Sequence, residues 1–423
     1  MNKLALFMLF SVYLFSCSAP SNTKNPEYTF PPEWAPHQAV WVGWSDNQRH
    51  TDANELLLEV VDILSNHVKV KMVVLNDSIE NLLSFRLDTM GVALDSIEFI
   101  RHFDTFLWMR DPGPFFVKSQ DGAVAIADFK WNAYNWFKVY RGINNPDSLP
   151  QVVRNLDRYG QYFADYLGIE LVNQAKTYAE GGAMEVNGQG TLMAVMETAL
   201  DRNPNKSLEE IEADYLRTFG KTNMLWLKRS IVSDLSTKGP VIGNYIGGGA
   251  NGHIDEFCRF VNDSTILLGE ISEEEAAENV LSKADRDALE ENYNYIKEQR
   301  QPNGKPWNIV RMPMPNLDLL AKTQLLNPDR DGYDDIVAKG FKVGDTLKNY
   351  PASSYLNFLI TNNLVLGAKY WKPGLPESIR KTDEEAKAIL ETLFPERKVV
   401  LIDAMRFNWN GGGIHCVTQQ QPR

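Results

Sequence analysis

Strand-like and helix-like runs alternate along this chain, which predicts an α/β fold. Two further observations bound that fold. The 423 residues are 43% hydrophobic and include 10 Trp, enough to bury a large core as two domains or as one large repeat-built domain. No long linker or low-complexity tract separates Tyr28 from Pro422, no short repeat is visible, and no dinucleotide or P-loop glycine pattern follows a strand.

The elements follow in order from local pattern. Short apolar runs predict strands at 39–42, 68–75, 115–117, 122–127, 190–196, 265–268, 358–366 and 399–402. Apolar residues at helical spacing predict amphipathic helices between them, at 53–66, 208–219, 272–300 and 383–393. Asn187 and Gly188 predict a hairpin turn.

The N-terminus reads as an address rather than as part of the fold. Lys3 precedes an apolar run at 4–15 that is too short to span a bilayer comfortably, and Leu14, Phe15, Ser16 and Cys17 follow. This resembles the lipobox of bacterial lipoproteins, which implies cleavage before Cys17 and acylation of that residue. The expected organisation is a signal peptide at 1–17, a flexible tether at 18–27 and a single catalytic domain at 28–423. The expected location is an exported lipoprotein, periplasmic or at the outer membrane or cell surface, touching the membrane only through the lipid on Cys17. A plain secretory signal cut after Ser18 or Ala19 would also export the chain.

Composition excludes some partners. A net charge of -12 argues against nucleic acid, whose binding draws on Lys and Arg, and suits a cationic substrate better. With Cys17 removed, only Cys258 and Cys416 remain, so no disulfide framework is expected. Cys258 lies in the apolar run 257–261, which reads as a buried strand around a core thiol.

Five segments combine chemistry-bearing side chains with glycines, a proline corner or a strand end. The tail NGGGIHCVTQQQP runs Gly411, Gly412 and Gly413 into His415 and Cys416, and glycines leave room for a small substrate to approach a thiol. By itself this pattern also describes a turn followed by a buried cysteine. FLWMRDPGPFFV places Trp108, Arg110 and Asp111 before a Pro112-Gly113-Pro114 corner. EGGAMEVNGQGT offers Glu180, which could face solvent or a site. In GHIDEFCRF, His253 and Asp255 are separated by one residue, which on a strand puts both on one face. In SSYLNFLITNN, Tyr355 and Asn357 would share a face likewise.

Together and in this order, WMRDPGP, EGGAMEVNGQGT, GHIDEF, SYLNF and NGGGIHCVTQQQP resemble the agmatine deiminase and bacterial peptidyl-arginine deiminase family of guanidine-modifying hydrolases. The resemblance covers the chain from about Tyr28 onward. It implies a pentein fold, a five-bladed αβ propeller with pseudo-fivefold symmetry around a central active site. Steps of roughly seventy residues from Asp111 to Glu180 to His253 fit such modules.

The resemblance also implies roles. Asp111 and Asp255 match paired carboxylates that hold a guanidinium, and Glu180 matches a further acid on the guanidine end or the histidine. Cys416 matches a nucleophile that forms a covalent amidino-thioether, and His253 a general acid and then base. Trp108 is a candidate for stacking on the cation, and Asn357 for contacting substrate. Acids near Cys416 should raise its pKa, so the thiolate is expected mainly beside bound substrate or charged His253.

Agmatine, giving N-carbamoylputrescine and ammonia, is the expected substrate. Segment 129–135 lacks the arginines that bacterial peptidyl enzymes place there for a peptide carboxylate. The alternatives are citrullination of protein arginine at the cell surface, which an exported lipoprotein suits, and non-catalytic capture of guanidino compounds. No cofactor and no metal are expected. The acidic loop 327–335 imitates the start of a calcium loop, but Ala338 stands where the bidentate Glu belongs. A homodimer is left open.

Overall fold

The computed structural model describes residues 28–330 and 332–423. The expected signal peptide, Cys17 and the tether lie outside these residues, as does Asp331 of the acidic loop.

The apolar runs satisfy their backbone groups in six small sheets, and five of these share one plan. A first strand pairs antiparallel with a second, and the second pairs in parallel with a third. The triplets are Phe115–Ser119, Val124–Ala127 and Leu171–Val172; Met184–Val186, Thr191–Val195 and Asn223–Leu227; Cys258–Phe260, Thr265–Glu270 and Asn308–Pro313; and Leu359–Thr361, Leu364–Lys369 and Lys398–Asp403. The fifth joins the two ends of the described chain, since Gln419–Pro422 pairs antiparallel with His37–Gly43, which pairs in parallel with Lys69–Val74. Parallel neighbours need a crossover, and each crossover carries helix. A sixth sheet of Tyr245–Ile246, Thr346–Asn349 and Lys322–Leu325 stands outside this plan.

The helices dock by their apolar stripes. Thr51–Ser65 buries Leu56, Leu57, Val60, Val61 and Leu64, each contributing roughly 1.5–3 kcal/mol relative to exposure. Two expected elements are interrupted. The strand expected at 358–366 is a hairpin that turns at Asn362 and Asn363, residues whose side chains favour turns. The helix expected at 272–300 is two, Glu273–Glu278 and Val280–Glu298, because Asn279 is extended and caps the second through Ser282 N. The helix expected at 383–393 starts earlier, at Glu377 behind Pro376. Cys258 is the buried thiol expected, 3.9 Å from Met193 Sδ, and both Cys258 and Cys416 are free.

The sheet plan has a consequence for chemistry. In every triplet, the motif residues occupy the few positions just before the first strand. Asp111 precedes Phe115–Ser119, Glu180 precedes Met184–Val186, and His253 and Asp255 precede Cys258–Phe260; Asn357 precedes Leu359–Thr361, and Cys416 precedes Gln419–Pro422.

Candidate active site

Backbone constraints place each side chain. Arg110 N donates to Cys416 O, which stitches the Asp111 corner to the cysteine segment. Asp111 then accepts from Gly182 N at 3.1 Å through Oδ1 and from Tyr134 OH at 2.8 Å through Oδ2. Glu180 accepts from Arg202 Nε at 2.9 Å through Oε1, and its Oε2 lies 3.6 Å from His253 Nε2. The His253 loop is fixed by Asp234, which accepts from the backbone N–H groups of Ala250, Gly252 and His253.

His253 and Asp255 are not on a strand. Ile254–Glu256 is a single 3-10 turn with His253 at its N-cap, because Asp234 captures the N–H groups that a strand would pair. The two side chains still converge. A Cβ on Gly182 would lie 2.6 Å from His253 Nδ1, 2.9 Å from Asp255 Oδ2 and 3.1 Å from Asp111 Oδ1, so one point touches all three. His253 Nδ1 is 3.7 Å from Asp111 Oδ1.

Cys416 Sγ lies 3.9 Å from Asp255 Oδ2, 3.8 Å from Glu256 Oε1 and 3.1 Å from Asn357 Nδ2. Asn357 also accepts from His415 N through Oδ1 at 2.9 Å and so shapes the cysteine turn. Tyr355 does not share its face: its hydroxyl donates to Asp383 in the core. The segment 353–358 is a loop rather than a strand, so two-residue alternation does not apply.

Glu256 and His415 were quoted in the motifs without roles, and the structure puts both here. Strand alternation would point Glu256 away from Asp255, whereas the 3-10 turn brings it to the thiol. His415 Nδ1 meets Asp255 Oδ2 at 2.6 Å, and its Nε2 meets Glu33 Oε2 at 2.8 Å. Asp255, Glu256 and Cys416 have potential ligand atoms within 4.8 Å of one another, but Asn357 Nδ2 donates to both Glu256 Oε1, at 2.9 Å, and the sulfur.

The glycine run serves packing more than approach. A Cβ on Gly412 would meet the Trp108 ring at 2.7 Å, and one on Gly413 would meet Asn357 Oδ1 at 2.4 Å. Only Gly411, with φ 97°, faces the outer cleft. That cleft holds about 500 Å3 and is lined by Trp108, His50, Trp136, Gly248 and Gly411 among others. Trp108 is therefore packed on Gly412 and also part of the cleft wall.

The site is buried and acidic. Asp111, Glu180, His253, Asp255 and Cys416 are each at most 2% exposed. Glu180 Oε2, Asp255 Oδ1 and both ring nitrogens of His253 have no hydrogen-bond partner among the described residues. Burial pushes the Cys416 thiol well above its usual range, and Asp255, Glu256 and Asp111 push further. Burial also lifts Asp111 to about 6. Burial alone would lower His253, yet Asp111, Glu180 and Asp255 outweigh it and raise it to about 9. Burial works against Asp255 as well, but His415 holds it below the usual carboxylate range.

A family profile for the Porphyromonas-type peptidyl-arginine deiminases matches residues 29–422. The chain belongs to that family. It is therefore an enzyme of the deiminase family, and curated relatives match over nearly their full length. It is 28% identical over 415 residues to the agmatine deiminase of Pseudomonas aeruginosa (strain LESB58), covering 96% of this chain and 98% of the relative. It is 26% identical over 411 residues to the agmatine deiminase of Medicago truncatula, covering 93% and 96%. Among solved structures, the agmatine deiminase of Enterococcus faecalis superposes with TM-score 0.71 at 22% identity, covering 94% of this chain and 96% of that one. The C. jejuni agmatine deiminase gives 0.66 at 18% identity, covering 94% and 96%. These superpositions establish the mixed α/β fold of the deiminases for this chain.

Proposed function

We propose that this deiminase-family chain hydrolyses a terminal guanidinium to a urea and ammonia, with agmatine as substrate and Cys416 as nucleophile. The carrying observation is the set of unpaired buried atoms, Asp255 Oδ1, Glu180 Oε2 and the His253 ring nitrogens, around a thiol in an acid-rich chamber. A buried carboxylate oxygen with no donor is costly, and a planar cation with N–H groups in a fork supplies both charge and donors.

The steps balance. Asp111, Asp255 and Glu180 grip the guanidinium, and its charge offsets the acids that disfavour the thiolate. Cys416 Sγ gives its proton to solvent as the substrate cation enters, and the thiolate attacks the guanidine carbon. One C–N bond breaks, and the leaving nitrogen departs as ammonia with a proton from His253, which is protonated at neutral pH. The resulting amidino-thioether is attacked by water, whose proton passes to neutral His253. The C–S bond then breaks, the remaining hydroxyl proton passes to the sulfur, and the urea leaves with the thiol restored.

The curated agmatine deiminases among the relatives support the small substrate. Citrullination of a peptide arginine is the second reading, favoured by the breadth of the outer cleft. We read the five like-patterned sheets as blades of a pseudo-fivefold propeller, since each delivers its pre-strand residues to one chamber. We also propose export as a lipoprotein acylated at Cys17. Membrane fractionation of wild type and Cys17→Ser tests it, and equal release of both into the soluble fraction refutes it.

The reaction test is ammonia release and product mass for agmatine, free arginine and an arginine peptide. Wild type should turn over agmatine fastest, and Cys416→Ala should lose about 10^4-fold or more. Equal activity in Cys416→Ala overturns the mechanism.

A further inference from the structure

Tyr134 sits in an unusual backbone setting. Ala133, Tyr134 and Asn135 have φ of 57°, 59° and 62°, three successive non-glycine residues in the left-handed region. Such a run is disfavoured for L-residues, because Cβ crowds the following carbonyl. It persists here because it is pinned from several sides. Asn132 Oδ1 accepts from Asn135 N, Asn135 Nδ2 donates to Asp201, and Asn251 Nδ2 donates to Tyr134 O. Asn251 is itself left-handed, at φ 64°, and belongs to the loop that carries His253.

This turn aims one group into the chamber. The Tyr134 hydroxyl donates to Asp111 Oδ2 at 2.8 Å, and its ring lies 5.6 Å from the His253 ring. Tyr134 is 2% exposed, and its opposite side lines the aromatic cleft with Trp131, Trp136 and Phe106. Burial, with Asp111 beside it, keeps the phenol well above its usual pKa, so it remains a donor at any working pH. Asp111 itself contacts His253, the charges of Asp255, Glu180 and Glu256 also act on it, and Gly182 N donates to its other oxygen. Among these, the hydroxyl and the Gly182 amide are the neutral donors that favour the carboxylate form.

We infer that Tyr134 is a positioning residue: the strained left-handed turn spends local stability to fix a phenol on Asp111, orienting that carboxylate and keeping it ionised for the substrate cation. The inference rests on the guanidine-hydrolysis reading. Strain of this kind is retained where the surrounding structure over-determines a geometry that chemistry uses.

The test is Tyr134→Phe, with two readouts. In kcat/KM against pH, losing a charge-assisted hydrogen bond should raise the acid limb by about one pH unit, so activity at pH 6 falls about fivefold relative to wild type and less at pH 8. A merely structural role would scale the whole profile and leave the limb in place. The second readout needs no turnover: the ratio of Cys416 alkylation by a cationic haloacetamidine to that by neutral iodoacetamide, at pH 6 and read by peptide mass, should fall about fivefold as Asp111 protonates. Asn251→Gly tolerates φ 64° but frees the Tyr134 carbonyl, and should move both readouts the same way by less. Unchanged limb and ratio in Tyr134→Phe, with an unaltered melting temperature, overturn the inference. Wild type that releases no ammonia from any guanidino compound sinks the reaction reading alone, and the alkylation ratio still decides Tyr134.

Discussion

Two buried charge clusters meet at His415, and they are built on opposite terms. On one side, Arg259 is wholly buried and donates to Glu185, to Glu33 and to the carbonyls of Leu356 and Phe358. Every acid there has its cation, and Glu33 continues to Ile360 N. On the other side, Asp111 and Glu180 approach His253 only to 3.7 and 3.6 Å, too long for hydrogen bonds; Glu180 has Arg202 and Asp255 has His415, but Glu180 Oε2, Asp255 Oδ1 and both His253 ring nitrogens have no hydrogen-bond partner among the described residues. Equal burial thus has two meanings. The matched cluster ties four segments of the chain together, whereas the other keeps open acceptor atoms that, on the proposed reading, a substrate cation would fill.

Breaking the matched side should cost most in stability. Arg259→Met leaves Glu33 and Glu185 buried without their cation and should lower unfolding free energy by about 3–5 kcal/mol in urea titrations at pH 7. Burial opposes ionisation of Glu33, but His415 and Arg259 prevail and hold its pKa down. Its stabilisation is therefore present above the unfolded carboxylate range and lost as pH falls, and the gap between wild type and variant should narrow in acid. A gap that is flat with pH would show that Arg259 acts only by packing.

Completing the unmatched side should stabilise. Agmatine at one hundred times its Kd should raise the unfolding free energy of Cys416→Ala by about 2.7 kcal/mol at pH 7.5, seen as a rise in melting temperature. The rise should shrink below about pH 6, where Asp111 protonates. No rise with agmatine, or an equal one with putrescine, would refute a guanidinium clamp.

The smallest effect concerns a single acid. Folding lifts Asp111 to about 6, so the fold disfavours its carboxylate; that cost is absent below the unfolded value and fully present above about 6. Asp111→Asn should therefore gain stability over wild type as pH rises from about 4 to above 6, on the order of 2 kcal/mol, while losing activity. Lower stability at pH 8 would show that the hydrogen bonds from Tyr134 and Gly182 outweigh the unpaired charge.

Much of the unmatched side was legible in the sequence, because its residues lie in glycine- and proline-marked segments whose order is distinctive. Asp111, Glu180, His253, Asp255, Asn357 and Cys416 all gather at one chamber. The local geometry is harder: two-residue spacing places His253 and Asp255 on one face only if the segment is a strand, and it cannot register Asp234, whose capture of the backbone comes from 19 residues upstream. The matched side was not legible, since Glu33 and Arg259 are 226 residues apart and neither carries a local signal. Tyr134 was passed over for a related reason. Its segment was read only for arginines it lacks, and a left-handed run without glycine leaves no mark in composition.

Gly182 shows how narrow the working tolerance is. Its amide holds Asp111, and the space beside its α-carbon is shared by three charged or titratable side chains. Alanine there would add one methyl group and no charge, yet that methyl would stand where His253, Asp255 and Asp111 meet. On the proposed reading, a chain that keeps every acid, the histidine and the cysteine but replaces this glycine would carry the complete motif set and still force its reacting groups apart.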